Sequence, residues 1–463
     1  MTTTDEPITE ITEAELPWHL RENRAPIPDE VTITDLQVVG ALPPELNGRY
    51  LRNGANPVTG HSEHWFLGDG MIHGIELSNG SANWYRNRYV RTPLFENPGV
   101  DRMELGYLNP ETISFDYEIS TANTHVIAHN GKILALEEGA FPYEITPQLD
   151  TVGPCTFNGK LATAMTAHPK ICPETGELLF FGYSSLPPYL VYHRVSATGE
   201  VLQSTEISVT GPTMMHDFVV SRNYSVFMDL PAIFDMELAM SGGMPIRWSD
   251  EYPARFGIMP RTGSDADVRW FDVDPCYVFH TLNAHEEGDE VVVRGCRIRE
   301  LWRTSADIGD PDQTNADDAP RMWEWRFNLS TGAVSERQLD DRSSEFPRVP
   351  DALVGLPNRY GYSMSTNAAQ TAGEIFKYDL ANGGSRTSHV FPEGQMPGEP
   401  VFVPADGATS EDDGYLLTFV HDETTDTSHL TVLDASSIES DPVAQVHLPR
   451  RIPAGFHGSW VAD

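Results

Sequence analysis

Apolar positions along this chain fall in short runs bounded by glycine, asparagine, aspartate and proline, and few stretches carry the three-and-four spacing of a long helix. The runs at 132–136, 178–181, 189–192, 226–228, 290–293, 415–419 and 429–433 are rich in β-branched and aromatic residues and read as strands. Asn53-Gly54, Asn79-Gly80, Asn130-Gly131, Asn158-Gly159 and Asn382-Gly383 are hairpin signals, because such pairs tolerate the positive φ a tight turn demands. Thr175-Gly176-Glu177 and Thr198-Gly199-Glu200 each precede a strand and serve the same purpose. Many short strands separated by turns predict an all-β sandwich, barrel or propeller. For 463 residues a seven-bladed β-propeller is the economical choice, since radial repetition leaves only short, protected strand edges. Residues 1–35 are acidic and proline-bearing and read as an N-terminal arm anchored by Trp18, with 36–463 as a single propeller domain. The segment 230–248, with Ile233, Phe234, Met236, Leu238, Met240 and Met244, is unusually apolar for a connection. It is either a core insertion or the lining of an entrance. The segment 307–318 is acidic and reads as an exposed loop.

Composition narrows the partners rather than the fold. Net charge is -37, from 68 acidic against 31 basic residues. A field of that sign repels phosphate backbones and argues against nucleic acid as a partner. Lysine occurs only at Lys132, Lys160, Lys170 and Lys377. Surplus carboxylate with arginine in place of lysine fits either a salt-in halophilic cytoplasm, where salt screens the self-repulsion, or a genome that favours arginine codons. No run approaches the roughly 18 apolar residues of a membrane span, and the first residues lack the basic and apolar regions of a secretory signal. The chain is therefore expected to be soluble and cytoplasmic. Cys155, Cys172, Cys276 and Cys296 form no CxxC pair, which fits reduced thiols and argues against a disulfide framework or a zinc knuckle.

The candidate chemistry lies in histidines. In Met214-Met215-His216-Asp217-Phe218 an imidazole in apolar company is either a hydrogen-bonded core residue or a metal ligand facing a dry cavity. His168 in Thr166-Ala167-His168-Pro169-Lys170, His280 in Phe279-His280-Thr281-Leu282-Asn283-Ala284 and His457 in Phe456-His457-Gly458-Ser459-Trp460 stand in similarly distinctive settings. Their wide separation excludes a local finger and suits ligands drawn from different blades that converge on an axis. An all-imidazole site suits iron, copper, zinc or nickel. Carboxylates one step out usually hold the remaining ring N–H groups. Glu138, Glu345 and Glu399 are candidates for that task, although each also reads as an ordinary surface acid in an acidic protein.

Arg52-Asn53-Gly54, the stretch 64–73, the Met214 and Phe279 stretches, Glu399-Pro400-Val401-Phe402-Val403-Pro404 and the Phe456 stretch occur in an order that resembles the carotenoid cleavage oxygenase family. That family includes lignostilbene dioxygenases, isoeugenol-type oxygenases and retinoid isomerases, and the resemblance runs from about residue 35 to the C-terminus. It implies a seven-bladed propeller capped by loops and short helices, with a non-haem Fe(II) on the axis held by His168, His216, His280 and His457. It further implies that Glu138, Glu345 and Glu399 each accept a hydrogen bond from one ligand imidazole and that His168 lacks such a partner. The methyl of Thr124 is implied to crowd one open iron position. His285 stands where relatives carry Trp or Tyr and is not expected to be a ligand. The implied reaction puts both atoms of O2 into one alkene, gives two carbonyl products and needs no external electron donor.

Phenolic-alkene members of that family hold the substrate's 4-hydroxyl with a lysine directly before the first of these glutamates, together with a tyrosine. Here that position is Glu137, while Tyr107 matches the tyrosine. A carboxylate there repels a phenolate, and loss of the cation removes a charge-assisted bond. The expected substrate is therefore a carotenoid or apocarotenoid, with a stilbene or phenylpropanoid alkene as the alternative. Tyr107, Glu137, Phe66 and Phe234 are the candidate substrate contacts. A non-enzymatic binding propeller would not need the intact ligand set. A catalytic zinc site normally keeps three protein ligands and an open fourth position. The expected partners are a small hydrophobic alkene and O2, with peripheral membrane contact through 230–248 because carotenoids reside in membranes.

Overall fold

Hairpin chemistry fixes the local pairing. In the computed structural model, which describes residues 16–240, 244–303, 316–366 and 372–463, sequence-adjacent strands pair antiparallel almost throughout. Asn79-Gly80 (φ 49° and 74°) closes Gly70–Ser78 onto Ser81–Tyr89, and Asn130-Gly131 (φ 49° and 70°) closes His125–His129 onto Lys132–Leu136. Each predicted run falls on a strand. Two of the turn signals land elsewhere. Asn53-Gly54 sits inside the strand Gly48–Ala55, where a Cβ on Gly54 would stand 2.9 Å from the Gly455 Cα. Close backbone approach, not a turn, demands that glycine. Asn158-Gly159 turns the connection between two different sheets.

Five sheets contain four to six strands, and a sixth contains seven because Val334–Arg348 runs through it. The first half of that strand pairs with Arg321–Asn328 and its second half with Tyr360–Ser365, so the sheet is two blades joined by one strand. Seven blades result. The core lies between them, with one hydrophobic cluster at each blade-to-blade junction. Leu134 and Leu136 meet Leu178 and Phe180, and Phe181 meets Phe218 and Phe227. Tyr50 and Ile75 of the first blade meet Leu417 and Val432 of the last, which closes the ring. Both chain ends reinforce that closure. Gly458–Ala462 pairs with Gly48–Ala55 as the axial strand of the first blade, and Gln37–Gly40 pairs with Ala444–His447 at the outer edge of the last.

Thr32–Ile33 extends the outer edge of the first blade. Ahead of it, His19 Nε2 lies 2.9 Å from the Ser62 carbonyl and Trp18 stands edge-on to Trp65 at 5.7 Å. Residues 1–15 of the expected arm, and 307–315 of the acidic segment, lie outside the described residues. The apolar segment 230–248 is a hairpin, Ala232–Phe234 against Ile246–Trp248, carrying the short helix Met236–Met240. Leu230, Ala232, Ile246 and Trp248 enter the core between two blades, while Phe234, Met236 and Met244 line the large cavity described below.

Candidate metal centre

Each blade offers one residue at or near the start of its axial strand. Thr124 precedes His125–His129, His168 precedes Lys170–Ile171, His216 precedes Val219–Val220, and His280 lies in Tyr277–Glu287. Glu345 lies in Val334–Arg348, Glu399 precedes Val401–Pro404, and His457 precedes Gly458–Ala462. The radial fold thus gathers residues that are remote in sequence, and Glu138, just beyond Lys132–Leu136, joins them from a second strand.

The four histidines each present a nitrogen to a common point, all within 4.8 Å of one another. Three rings are oriented from behind. Nδ1 of His216 lies 2.7 Å from Glu138 Oε2, that of His280 2.6 Å from Glu345 Oε2, and that of His457 3.0 Å from Glu399 Oε1. A carboxylate accepts, so Nδ1 carries the proton and Nε2 turns a lone pair inward. His216 Nε2 then stands 3.0 Å from His168 Nε2 and 3.2 Å from His280 Nε2. Lone pairs aimed together at that range repel unless a cation lies between them. The spacing suits neighbouring nitrogens each about 2.1 Å from one metal ion. The donor set therefore fits a metal. Among the described residues no carboxylate bonds the His168 ring, whose backbone N–H donates to Thr166 Oγ1 at 3.1 Å. Burial and the neighbouring imidazoles hold His168 and His457 well below the usual histidine range. Burial also pulls His280 down, but the Glu345 carboxylate, together with Asp217 and Glu399, outweighs it and the net shift is upward.

The surrounding contacts immobilise this arrangement. Asp217 accepts from Lys170 Nζ (2.8 Å), from the Thr281 amide (2.8 Å) and hydroxyl (2.7 Å), and from the Phe218 amide (2.7 Å). One buried carboxylate thereby staples the segments that carry His168, His216 and His280. Tyr183 donates to Glu138 Oε1 at 2.9 Å, and the Gly458 amide donates to Glu399 Oε2 at 2.8 Å. Phe346, at a left-handed φ of 53°, donates its amide to Glu345 and stacks on His280 at 5.2 Å. The Thr124 hydroxyl donates to Asn123 Oδ1 at 2.9 Å.

Above the imidazoles lies a cavity of about 920 Å³, and below them an axial channel of about 410 Å³. The cavity wall holds the expected contacts Phe66, Tyr107, Glu137 and Phe234, and also Phe279, Trp302, Tyr183 and Phe456. Glu137 is not the bare carboxylate expected. Arg102 Nη2 stands 3.2 Å away, and the Thr121 amide and hydroxyl each donate at 2.5 Å. Burial works to raise its carboxyl, but Arg102 and Thr121 prevail and hold it below the usual range. Sequence offered no local signal for Arg102, which reaches Glu137 from an earlier turn. His285 bonds Glu287 at 2.9 Å and lies outside the four-histidine group. His125 carries no distinctive motif in the sequence. It is buried beside His457 at 5.2 Å, but its Nδ1 is bonded to the Ala167 carbonyl at 2.8 Å.

The family model described as retinal pigment epithelial membrane protein matches residues 24–462. A carotenoid cleavage oxygenase of Mycobacterium tuberculosis is 39% identical, over 94% of this chain and 96% of that protein. A carotenoid 9,10(9',10')-cleavage dioxygenase of Arabidopsis thaliana is 37% identical, over 97% and 91%. The lignostilbene dioxygenase of Pseudomonas brassicacearum superposes with a TM-score of 0.84 at 29% identity, over 96% of this chain and 98% of that one. A cobalt-substituted apocarotenoid oxygenase of Synechocystis gives 0.83 at 26% identity, over 95% and 97%.

Proposed function

The chain belongs to the retinal pigment epithelial membrane protein family, that of the carotenoid cleavage oxygenases, and from that premise we propose that it cleaves one double bond of a carotenoid or apocarotenoid with O2, giving two carbonyl products. The observation that carries this reading is the convergence of four imidazole nitrogens on the floor of an aromatic-walled cavity of about 920 Å³. His168, His216, His280 and His457 would hold Fe(II), which when bound supplies the activation of O2. The chain's own residues do the rest. Glu138, Glu345 and Glu399 fix three rings and place negative charge one hydrogen bond behind neutral donors, raising their basicity. With its hydroxyl committed to Asn123, Thr124 has its methyl left to crowd one position beside the floor. Phe66, Phe279, Trp302 and Phe456 exclude water and hold an extended alkene against the floor. Their ring faces also favour positive charge that develops on a polyene.

Reconstitution with Fe(II) without air, followed by isotopically labelled O2, tests the reading. The substrates are an apocarotenal, a full-length carotenoid, a 4-hydroxystilbene and isoeugenol, with products identified by mass spectrometry. Labelled aldehydes from the polyenes are expected. Cleavage of the phenolic alkenes alone would move the substrate to the stilbene class. We place lipid contact at the 230–248 hairpin, where Met236 is 61% exposed at the cavity rim. Among the described residues no helix is long and apolar enough to cross a membrane. Failure to float with liposomes at both low and high salt would remove that contact.

A further inference from the structure

Arg102 occupies the part of the cavity wall where the resemblance leads one to look for a lysine. Its Nη2 donates to the Ile119 carbonyl at 3.0 Å and to Glu137 Oε1 at 3.2 Å. Its guanidinium lies over the Tyr107 ring, 3.9 Å from the centroid. The neighbouring polar groups are committed within the protein. Tyr107 donates to the Gly139 carbonyl at 2.8 Å, and Glu137 Oε2 takes the amide and hydroxyl of Thr121 and the Ser120 hydroxyl. Nε of Arg102 is enclosed without a partner. Nη1 has no hydrogen-bond partner among the described residues, which leaves it as the donor available to a molecule in the cavity.

We infer that Arg102 is a specificity-determining residue whose Nη1 donates to a neutral oxygen, a hydroxyl or carbonyl, at one end of the polyene. The inference rests on the alkene-cleaving reading above and adds the chemistry of the substrate's end. Glu137 offsets the guanidinium charge, so a phenolate or carboxylate meets no net positive field and comes within range of a buried anion. A hydrocarbon end covers Nη1 without bonding it, which costs the desolvation of a charged donor. A neutral oxygen satisfies it. Stacking on Tyr107 and the bond to the Ile119 carbonyl fix the plane of the guanidinium, so the donor points in one direction.

The test compares two polyenes of equal length, a hydrocarbon and its ring-hydroxylated counterpart, neither carrying other oxygen. Affinities are read from tryptophan quenching on iron-loaded protein without O2, and cleavage is then read in air. The hydroxylated polyene is expected to bind at least about tenfold more tightly. In Arg102→Met/Glu137→Gln, which removes both charges together and strands neither, the ratio is expected to fall to about one. Should that variant fail to fold, Arg102→Lys replaces the fixed fork with a mobile ammonium and is expected to lower the ratio several-fold. Equal affinity in the unaltered protein, or an undiminished ratio in the folded variant, overturns the assignment. Preference in binding without cleavage of either polyene would overturn the reaction and leave the oxygen site standing. Cleavage of both with equal affinity would do the reverse.

Discussion

The cavity above the four histidines is walled by Phe66, Phe279, Trp302 and Phe456, whereas the channel below them carries Lys170, Asp217, Arg348 and Asp351. Charges in the channel answer one another. Lys170 pairs with Asp217 at 2.8 Å, and Arg348 lies 3.5 Å from both Glu399 and Asp351. Lys170–Asp217 ties the segments of His168 and His216 across two blades and Arg348–Glu399 ties those of Glu345 and Glu399, while Arg348–Asp351 is local, so the polar side of the floor serves geometry. The aromatic side offers a mostly apolar cavity with Arg102 in its wall. The floor thus separates a charged channel from an aromatic-walled cavity, although Glu138, Glu345 and Tyr183, which hold two of the rings, face the cavity side.

The largest effect is expected at the floor itself. His168→Ala removes the donor that has no carboxylate behind it, and the remaining three cannot enclose a metal on that side. Metal content after reconstitution and dialysis should approach zero and turnover should vanish. Full iron with full turnover would sink the assignment of the site. Next comes Glu399→Gln, which keeps the shape but weakens the acceptor for His457 and for the Gly458 amide. Metal affinity is expected to fall by about 10–100-fold, measured by competition with a chelator. On the aromatic side, Phe279→Ala takes away a ring that packs on His216 at 5.1 Å and on Trp302 at 5.7 Å. We expect about a tenfold loss in kcat/KM for a polyene, from lost aromatic contact, with iron content unchanged. Loss of iron instead would place Phe279 with the positioning machinery.

The same division explains what could be read from the sequence. The four histidines are legible because each stands in a short motif near a strand, and the strands are legible from their own apolar runs, whereas the three glutamates read as ordinary surface acids until the family resemblance singles them out. Partners delivered from elsewhere in the ring are not. Arg102 reaches Glu137, Tyr183 reaches Glu138, and Asp217 joins Lys170 to Thr281, each across a stretch of chain that no motif spans. His125 shows the limit from the other side. It is buried beside the ligands and is the same residue type, yet the Ala167 carbonyl claims one ring nitrogen, which only the folded chain reveals. Asn53-Gly54 fails as a turn for a related reason. Its asparagine amide bonds the Ala122 and His125 carbonyls inside the sheet, and tertiary contact overrides the dipeptide's preference.

The smallest effect on chemistry, and the sharpest test of the division, is expected from Lys170→Met. Lys170 is partly accessible while Asp217 is buried, with side chains 17% and 2% exposed. Removing the ammonium leaves a buried carboxylate without its ionic partner. Asp217 keeps the N–H groups of Thr281 and Phe218 and the Thr281 hydroxyl, so the cost falls below that of a fully stranded charge. A loss of about 2 kcal/mol in stability is expected, read as a lower denaturant midpoint in the iron-loaded protein. The remaining bonds still hold the segments of His216 and His280 but no longer that of His168, so iron content is expected to fall somewhat while turnover per bound iron should not change. A fall in turnover per bound iron would mean that the channel takes part in the reaction, and the two sides of the floor would then have to be treated as one site.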